Sequence, residues 1–306
     1  SQENIGGKPY SFDNSLMELI PNIIMPTINI DELLYEDANS APGTPFRYGN
    51  KFNVHLNPEN SGVWEYNNNN RIWRISIISH EAYALSLELD DFYLSETATL
   101  FVYNQDRTEI YGAYTNNNNN IDNIFDTPLV SGNNIILELL VTSEFDDSQI
   151  NISSVIHDYR DILNIMNQSR SCGDNVICPD ADPYEDQINA VAWLDMGGYI
   201  CSGAMINNTD QDLTPYFLTA DHCVAGESPG TFRFYFNYET TSCGGSSASY
   251  GSYAYGSTLR SRSYDMDPDF ALLEINGTIY DSWDVFYAGW NRSASASIIS
   301  CGVHHP

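Results

Sequence analysis

Two short stretches of this 306-residue chain, CSGAMI at residues 201–206 and YFLTADHC at residues 216–223, carry most of the information about its fold. The first has the pattern of an apolar strand, and the second predicts a strand that ends in a tight turn carrying His222. Cys223 is able to bond back to Cys201, and closing this loop would contribute about 3 kcal/mol in the chain-entropy model. The same bridge would hold the histidine rigidly, which a general base requires.

Short apolar runs continue on both sides of these stretches, and no sustained helical period follows residue 170. The runs lie at residues 190–194, 198–206, 216–220, 231–238 and 270–275. We therefore expect the C-terminal half of the chain to be all-β.

The N-terminal half shows period-2 alternation of apolar and polar residues, at 73–77 and 83–89 for example. Runs of Asn at 67–70 and 116–120 fall between the predicted strands, where we expect solvated hairpin loops. This pattern is typical of an antiparallel sandwich. Residues 16–25, which are apolar but broken by proline, predict an ordered arm or a short helix.

Composition limits the partners and the compartment. The formal net charge of −29 repels phosphates and anionic lipid headgroups, so we expect no nucleic acid and no membrane as partners. All six cysteines follow residue 170, which predicts a disulfide-stapled module in an oxidising compartment, secreted or periplasmic. The chain starts at Ser1 rather than at Met, which a removed signal peptide would explain.

The two opening stretches together resemble the trypsin-like serine proteases, and longer matches favour the lysyl endopeptidase branch of that class. The matching segments are SCGDNVICP (171–179), FNYETTSC (236–243), DFALLEIN (269–276), AGWNR (288–292) and VHHP (303–306). The residues ahead of them, including ISSVIHDYRD at 152–161, resemble the pro-region of such proteases. The resemblance therefore covers most of the chain.

The resemblance implies an all-β fold: an N-terminal antiparallel β-sandwich, then the first barrel and the start of the second barrel of a chymotrypsin-like two-barrel fold. The polar stretch at 167–171 is the natural boundary between the two parts. The implied organisation is an arm at 1–44, the sandwich pro-region at 45–165, a linker or processing region at 166–171, the first barrel at 172–285 and the beginning of the second at 286–306. We expect the pro-region to pack on its own protease domain and to be cleaved near 160–171, with Arg170 as a candidate site.

Two catalytic roles are carried over from the family. His222 would be the general base, and Asp269 would accept a hydrogen bond from its other ring nitrogen and stabilise the imidazolium. Asp265 and Asp267 are nearby alternatives, but Asp269 directly precedes an apolar run. Asp221 stands where the family commonly has a small residue and is interpreted as a solvent-facing charge.

Family analogy also pairs the cysteines. It implies Cys201–Cys223 and Cys178–Cys243, and it joins Cys172 to a downstream cysteine that this chain lacks. Cys301 falls where the family usually has an apolar residue, so the analogy gives it no partner, and pairing with Cys172 stays open.

The nucleophile of the family is missing. No GDSG occurs, and the glycines that shape a nucleophile turn do not flank Ser171, Ser202 or the serines between 293 and 300 on both sides. We therefore expect this chain to be inactive by itself and to be a truncated part of a longer enzyme rather than an evolved inactive protein.

The function indicated is that of a secreted serine endopeptidase precursor, a hydrolase acting on polypeptides, with no cofactor and no metal. Cleavage after Lys or another basic residue follows from the resemblance. Residues 52–306 contain no lysine, which suits a Lys-cutting enzyme that avoids self-digestion and equally suits an acidic composition.

Two other readings stay open. A zinc enzyme would use Cys301, His304 and His305, but the chain has no HExxH and no paired CxxC motifs. A non-catalytic sandwich that binds sugar or protein, fused to a degenerate protease half, would use Trp64, Tyr66 and Trp73, although such residues more often pack in a core.

Overall fold

The computed structural model describes residues 5–16, 19–41, 43–166, 174–243, 245, 252–263, 268–293 and 300–305. The chain forms two compact units. The first unit consists of Ser1–Ala38 and Tyr48–Asp161, and the second of Asn39–Arg47 and Ile162–Pro306. Residues 39–47, which the sequence divides between the arm and the sandwich, thus pack with the second unit.

Strands dominate both units, which confirms the all-β class. In chain order the strands are β1 (Asn22–Ile24), β2 (Phe46–Arg47), β3 (Gly49–Leu56), β4 (Val63–Asn67), β5 (Asn70–Ile78), β6 (Ala84–Tyr93), β7 (Ala98–Asn104), β8 (Ile110–Tyr114), β9 (Phe125–Asp126), β10 (Val130–Ser131), β11 (Asn134–Val141), β12 (Gln149–Asp158), β13 (Val191–Asp195), β14 (Tyr199–Ile206), β15 (Tyr216–Thr219), β16 (Arg233–Phe236), β17 (Tyr253–Tyr255), β18 (Ser257–Arg262) and β19 (Ala271–Ile275). The α-helices are α1 (Tyr10–Asp13), α2 (Ile30–Ala38), α3 (Ile162–Met166), α4 (Glu185–Ala190) and α5 (Asp221–Val224). Within the described residues, no helix is both long and apolar enough to cross a membrane.

The first unit is a sandwich of two sheets. One has the order β1-β5-β11-β7-β8 with β4 beside β5, and the other has the order β10-β6-β12-β3 with β9 beside β6. Alternate residues of both sheets meet in one core, in which Trp73 and Leu137 of the first sheet join Leu87 and Val155 of the second. The alternating sequence pattern produces this arrangement, because successive side chains of a strand point to opposite faces.

Two local expectations for the first unit have different outcomes. Within 16–25, Asn22–Ile24 form a strand parallel to β5, which fits the ordered arm rather than the short helix, because an open edge of β5 offers their backbone a ladder of hydrogen bonds. The Asn run at 116–120 is not merely a solvated loop. Asn118 is buried, and the side chain of Asn119 hydrogen bonds both backbone groups of Leu94.

The second unit is one curled sheet in the order β17-β16-β13-β14-β15-β19-β18, with β2 added to β14. Its two end strands, β17 and β18, are one chain segment interrupted only by Gly256, so the sheet closes on itself. Gly256 has φ +73°, a conformation that favours glycine, and an added Cβ would lie 3.1 Å from the Gly230 carbonyl oxygen. The interior is filled by apolar side chains, among them Phe217, Phe234 and Leu273.

Candidate active site

His222 lies where a central strand of the second unit ends. β15 stops at Thr219, and after Ala220 in extended conformation the chain enters the single helical turn of α5, whose second residue is His222. The side chain of the histidine is partly exposed, with 25% of its surface accessible. The apolar strand therefore carries the histidine from the core to the surface, in place of the simple tight turn that the sequence predicts.

Asp269 reaches the same place through the neighbouring strand. β19 pairs antiparallel with β15, and Thr219 lies opposite Ala271. Extending that register by two residues puts Asp269 opposite Asp221, directly beside His222. Strand register, and not proximity in sequence, thus brings the aspartate to the histidine.

The two side chains form a close hydrogen-bonded pair. His222 Nδ1 lies 2.6 Å from Asp269 Oδ2, and the His222 backbone N–H donates to Oδ1 at 3.1 Å. Burial alone would raise the pKa of Asp269, but hydrogen bonds from the His222 ring and from the backbone N–H groups of His222 and Asp221 hold its pKa below the usual value. Because the ionised carboxylate can only accept, Nδ1 carries a proton and Nε2 is the nitrogen left for proton transfer.

Asp221 is not the solvent-facing charge that the sequence suggests. Its carboxylate is 2% exposed and receives a two-pronged ion pair from the guanidinium of Arg262, through Nε and through Nη2 at 2.9 Å. A carboxylate can be buried when both of its oxygens have donors, which the planar guanidinium supplies. Sequence reasoning missed Arg262, because nothing in the alternating pattern of β18 marks one of its arginines as the partner of a buried carboxylate.

The described residues of the second unit contain two disulfides, one of them next to His222. Cys201 is bonded to Cys223, the neighbour of His222, and Cys178 is bonded to Cys243. Cys301 is an exposed free cysteine. Cys172 lies outside the described residues, so its partner stays an expectation.

The other candidate residues fall in varied places. Ser171, Arg170, Asp265, Asp267 and the serines from 295 to 297 lie outside the described residues. The hydroxyl of Ser202 is engaged by the backbone of His305, whose N–H donates to it at 2.9 Å. Among the described residues, the hydrogen bonds of the His222 ring are with Asp269 alone.

Among the described residues, the group that could hold a metal ion is not the Cys301, His304 and His305 of the zinc hypothesis but a different one. Cys201, His222 and Cys223 come close enough to hold an ion, but the two sulfurs are joined to each other and are not free thiolate ligands. Trp73 is fully buried in the sandwich core, and Trp64 packs against that core, with its Nε1 donating to the Pro58 carbonyl. Tyr66 is exposed.

Comparison with known proteins agrees with the geometry. Residues 166–306 match the family model described as the C-terminal domain of lysyl endopeptidase. The lysyl endopeptidase of Pseudomonas aeruginosa is 26% identical over 205 residues, which cover 59% of this chain and 43% of that protein. The matched part is thus less than half the length of the curated relative. Together the two findings support a relationship of this chain to the lysyl endopeptidases and, at the level of the family, a protease-related function.

Proposed function

We propose that this chain is the precursor part of a serine endopeptidase that carries the general base and its aspartate but not the nucleophile. The observation that carries the proposal is the His222–Asp269 pair, with 2.6 Å between Nδ1 and Oδ2, held at the ends of two paired strands. In a hydrolase of this class, such a pair activates a hydroxyl nucleophile that no side chain could activate alone.

The chemistry assigns one step to each group. Nε2 of His222 takes the proton of the serine hydroxyl as the oxygen attacks the peptide carbonyl carbon. Asp269 keeps Nδ1 protonated and stabilises the imidazolium that forms. The same proton passes from Nε2 to the leaving amine as the peptide C–N bond breaks, and water then releases the acyl group from the serine.

The nucleophilic serine is not among these 306 residues, which contain no GDSG. The chain by itself is therefore inactive in peptide hydrolysis. The second barrel, with the serine and the pocket for the side chain before the scissile bond, completes the site in the whole enzyme.

The substrate is a polypeptide cleaved after Lys or another basic residue, as the name of the matched family suggests. The chain is secreted or periplasmic, which agrees with two disulfides in the second unit. The sandwich is a pro-region removed by cleavage near 160–171.

The deciding experiment uses the protein extended by its downstream coding sequence. A serine-directed acylating reagent should label one serine there, identified by mass spectrometry of peptides, and should abolish hydrolysis of a Lys-containing polypeptide. The 306-residue chain should take up no label. Absence of both labelling and hydrolysis in the extended, folded protein would refute the proposal.

The role of Asp269 is tested by a matched pair of variants, one just before β19 and one within it. Asp269→Asn should lower kcat by about 10⁴, because it stabilises the wrong histidine tautomer. Glu274→Gln removes a carboxylate five residues along, which pairs at the surface with Arg260, and it should leave kcat unchanged. Equal effects of the two substitutions would show that Asp269 has no special role.

A further inference from the structure

Residues 39–47, here called the arm segment, belong to a different compact unit from the residues on either side of them. By its contacts the segment belongs to the second unit, whereas its neighbours in sequence belong to the first. Within it, β2 pairs antiparallel with β14, so that Arg47 lies opposite Tyr199 and Phe46 lies opposite Ile200. A segment from the N-terminal part of the sequence therefore completes the sheet that carries the candidate site.

The pairings show which edge of β14 the arm segment covers. Ile200 is paired on one side with Asp195 of β13, and on the other with Phe46. Ala204 is paired with both β13 and β15, so β15 lies on the edge opposite β13. β2 and β15 consequently share one edge of β14, one after the other.

His222 lies at the junction between these two neighbours. β15 leaves the edge at Thr219, whose hydroxyl still donates to the Ser202 carbonyl at 2.9 Å. The next residues form the turn with His222, which the Cys223–Cys201 disulfide ties back to β14. Cys201 directly follows the residues that β2 covers, so the arm segment approaches the edge beside the histidine.

The direction of β2 matches that of a substrate. Because β2 is antiparallel to β14, residue numbers along it fall towards Cys201 and His222. An extended polypeptide in the same place and direction would present its scissile bond at His222. Its residues after that bond, on the leaving-amine side, would hydrogen bond to the backbone of Ile200, since exposed sheet edges bind extended peptides through the main chain.

We propose that the arm segment occupies this edge in the precursor. It thereby prevents the leaving-amine side of a polypeptide substrate from binding there until the arm segment is displaced. This inference rests on the proposed function, because it assigns the edge to the substrate of the same site. The segment acts as an autoinhibitory strand within the precursor.

The arm segment is suited to reversible occupancy. The pairing of β2 with β14 spans only two residues, directly after Pro45, and is therefore weak in itself. Its attachment to the chain compensates, because a short tether gives an effective concentration of about millimolar. A longer polypeptide that pairs over more residues can therefore displace it.

The proposal is tested first on the 306-residue chain by amide hydrogen exchange. Phe46→Pro removes the strand backbone donor and should speed exchange in peptides covering 199–201, while Phe46→Leu, which keeps the N–H, should leave that exchange unchanged. Exchange in β13 should stay slow in both variants and reports that the second unit is folded. Unchanged exchange at 199–201 in a folded Phe46→Pro chain would overturn the proposal.

The occupant is tested with a labelled synthetic peptide, acetyl-APGTPFRYG-amide, which copies residues 41–49. It should bind the Phe46→Pro chain about tenfold more tightly than the original chain, and a version N-methylated at its Phe and Arg should not bind. Equal binding to both chains would contradict the proposal. If Phe46→Pro does not fold, an excess of the peptide is added to the original chain and amide exchange is measured in residues 44–47. Faster exchange there supports the proposal, because the peptide has displaced the arm segment, and unchanged exchange opposes it.

Hydrolysis by the extended protein separates this inference from the proposed function. Phe46→Pro should raise the rate with peptides that continue beyond the scissile bond by about tenfold, through KM, and not with anilides that end there. Active protein with equal rates for Phe46→Pro and Phe46→Leu would sink the arm proposal alone. Lack of any activity, with the expected exchange and binding results, would sink the proposed function and leave the occupied edge in place.

Discussion

At the scale of single residues, the environment of His222 depends on a charge that is hidden from water. Asp221, the residue before it, is almost completely buried and is held by Arg262 from β18. A buried ion pair contributes little by itself, because desolvating both charges offsets their attraction. Removing one partner is costly, since the other charge is then left in a poorly solvated place. The Arg262 side chain therefore fixes the turn on which the histidine sits.

Arg262→Ala should destabilise the second unit by about 3 kcal/mol, because it leaves Asp221 buried without its ion pair. Arg260→Ala is the matched control: Arg260 lies on the same strand and pairs with Glu274 at the surface, so its loss should be much smaller. The free energy of unfolding of each variant is measured by urea titration, with hydrogen exchange in β13 and β15 as the readout. Similar losses for the two variants would contradict the structural role given to Arg262.

At the scale of elements, the contact of β14 with β15 requires a glycine. A Cβ on Gly203 would overlap the ring of Phe217 and lie 2.6 Å from the Leu218 carbonyl oxygen. Phe217 is fully buried and its ring packs edge-on against Phe234, so it has no room to withdraw. The glycine thus permits the close approach of the two strands that carry the disulfide and the histidine turn.

Gly203→Ala should cost about 2 kcal/mol or more of the stability of the second unit, since overpacking forces strands or rings apart. Gly289→Ala is the control, because a Cβ there meets nothing within 4 Å. The temperature of thermal unfolding, monitored by near-UV circular dichroism, is compared between the two variants. A neutral Gly203→Ala variant would mean that β15 can shift away without loss.

The sandwich contains a titratable group in its core. His157 in β12 is fully buried, and its Nδ1 lies 2.7 Å from the Ser79 hydroxyl oxygen. Its Nε2 has no hydrogen-bond partner among the described residues. Burial lowers the pKa of His157 from 6.5 to about 4, because a second proton on the ring would place a positive charge in the core.

Acidification should therefore weaken the first unit. Between pH 6.5 and about 4 the unfolded chain binds a proton at His157 that the folded one does not, so the free energy of unfolding falls by about 3 kcal/mol as the pH drops through this range. Above pH 6.5 this contribution is fully present. His157→Gln should flatten the dependence, as measured by urea unfolding at several pH values; an identical pH profile in the variant would contradict the assignment.

At the scale of the whole molecule, the two units are stabilised by different means. The first is a sandwich with a large apolar core, and residues 1–171 contain no cysteine. The second has its disulfides across sequence separations of 22 and 65 residues, which contribute about 3 and about 4 kcal/mol in the chain-entropy model.

Reduction should consequently affect the two units unequally. Under a thiol reductant, hydrogen exchange should accelerate in β13–β16, whereas exchange in β5, β7 and β11 should stay as slow as before. Mass spectrometry of exchanged peptides reads both units in one sample. Equal acceleration in both would show that the sandwich has no stability of its own.

The sequence by itself determined the all-β class, most strands of the second unit to within one or two residues, and the placing of His222 directly after an apolar strand. These features are local, because alternation, turn residues and a strand that ends at a histidine are written in neighbouring positions. Only the tertiary structure decided that Asp221 is buried against Arg262, that Asp269 meets His222 at 2.6 Å, and that Phe46 and Arg47 pair with the edge of β14. Each depends on register between strands distant in sequence, and a two-residue strand such as β2 is too short to have a pattern of its own. Register is fixed by the packing of all the strands together, so no single stretch of sequence contains it.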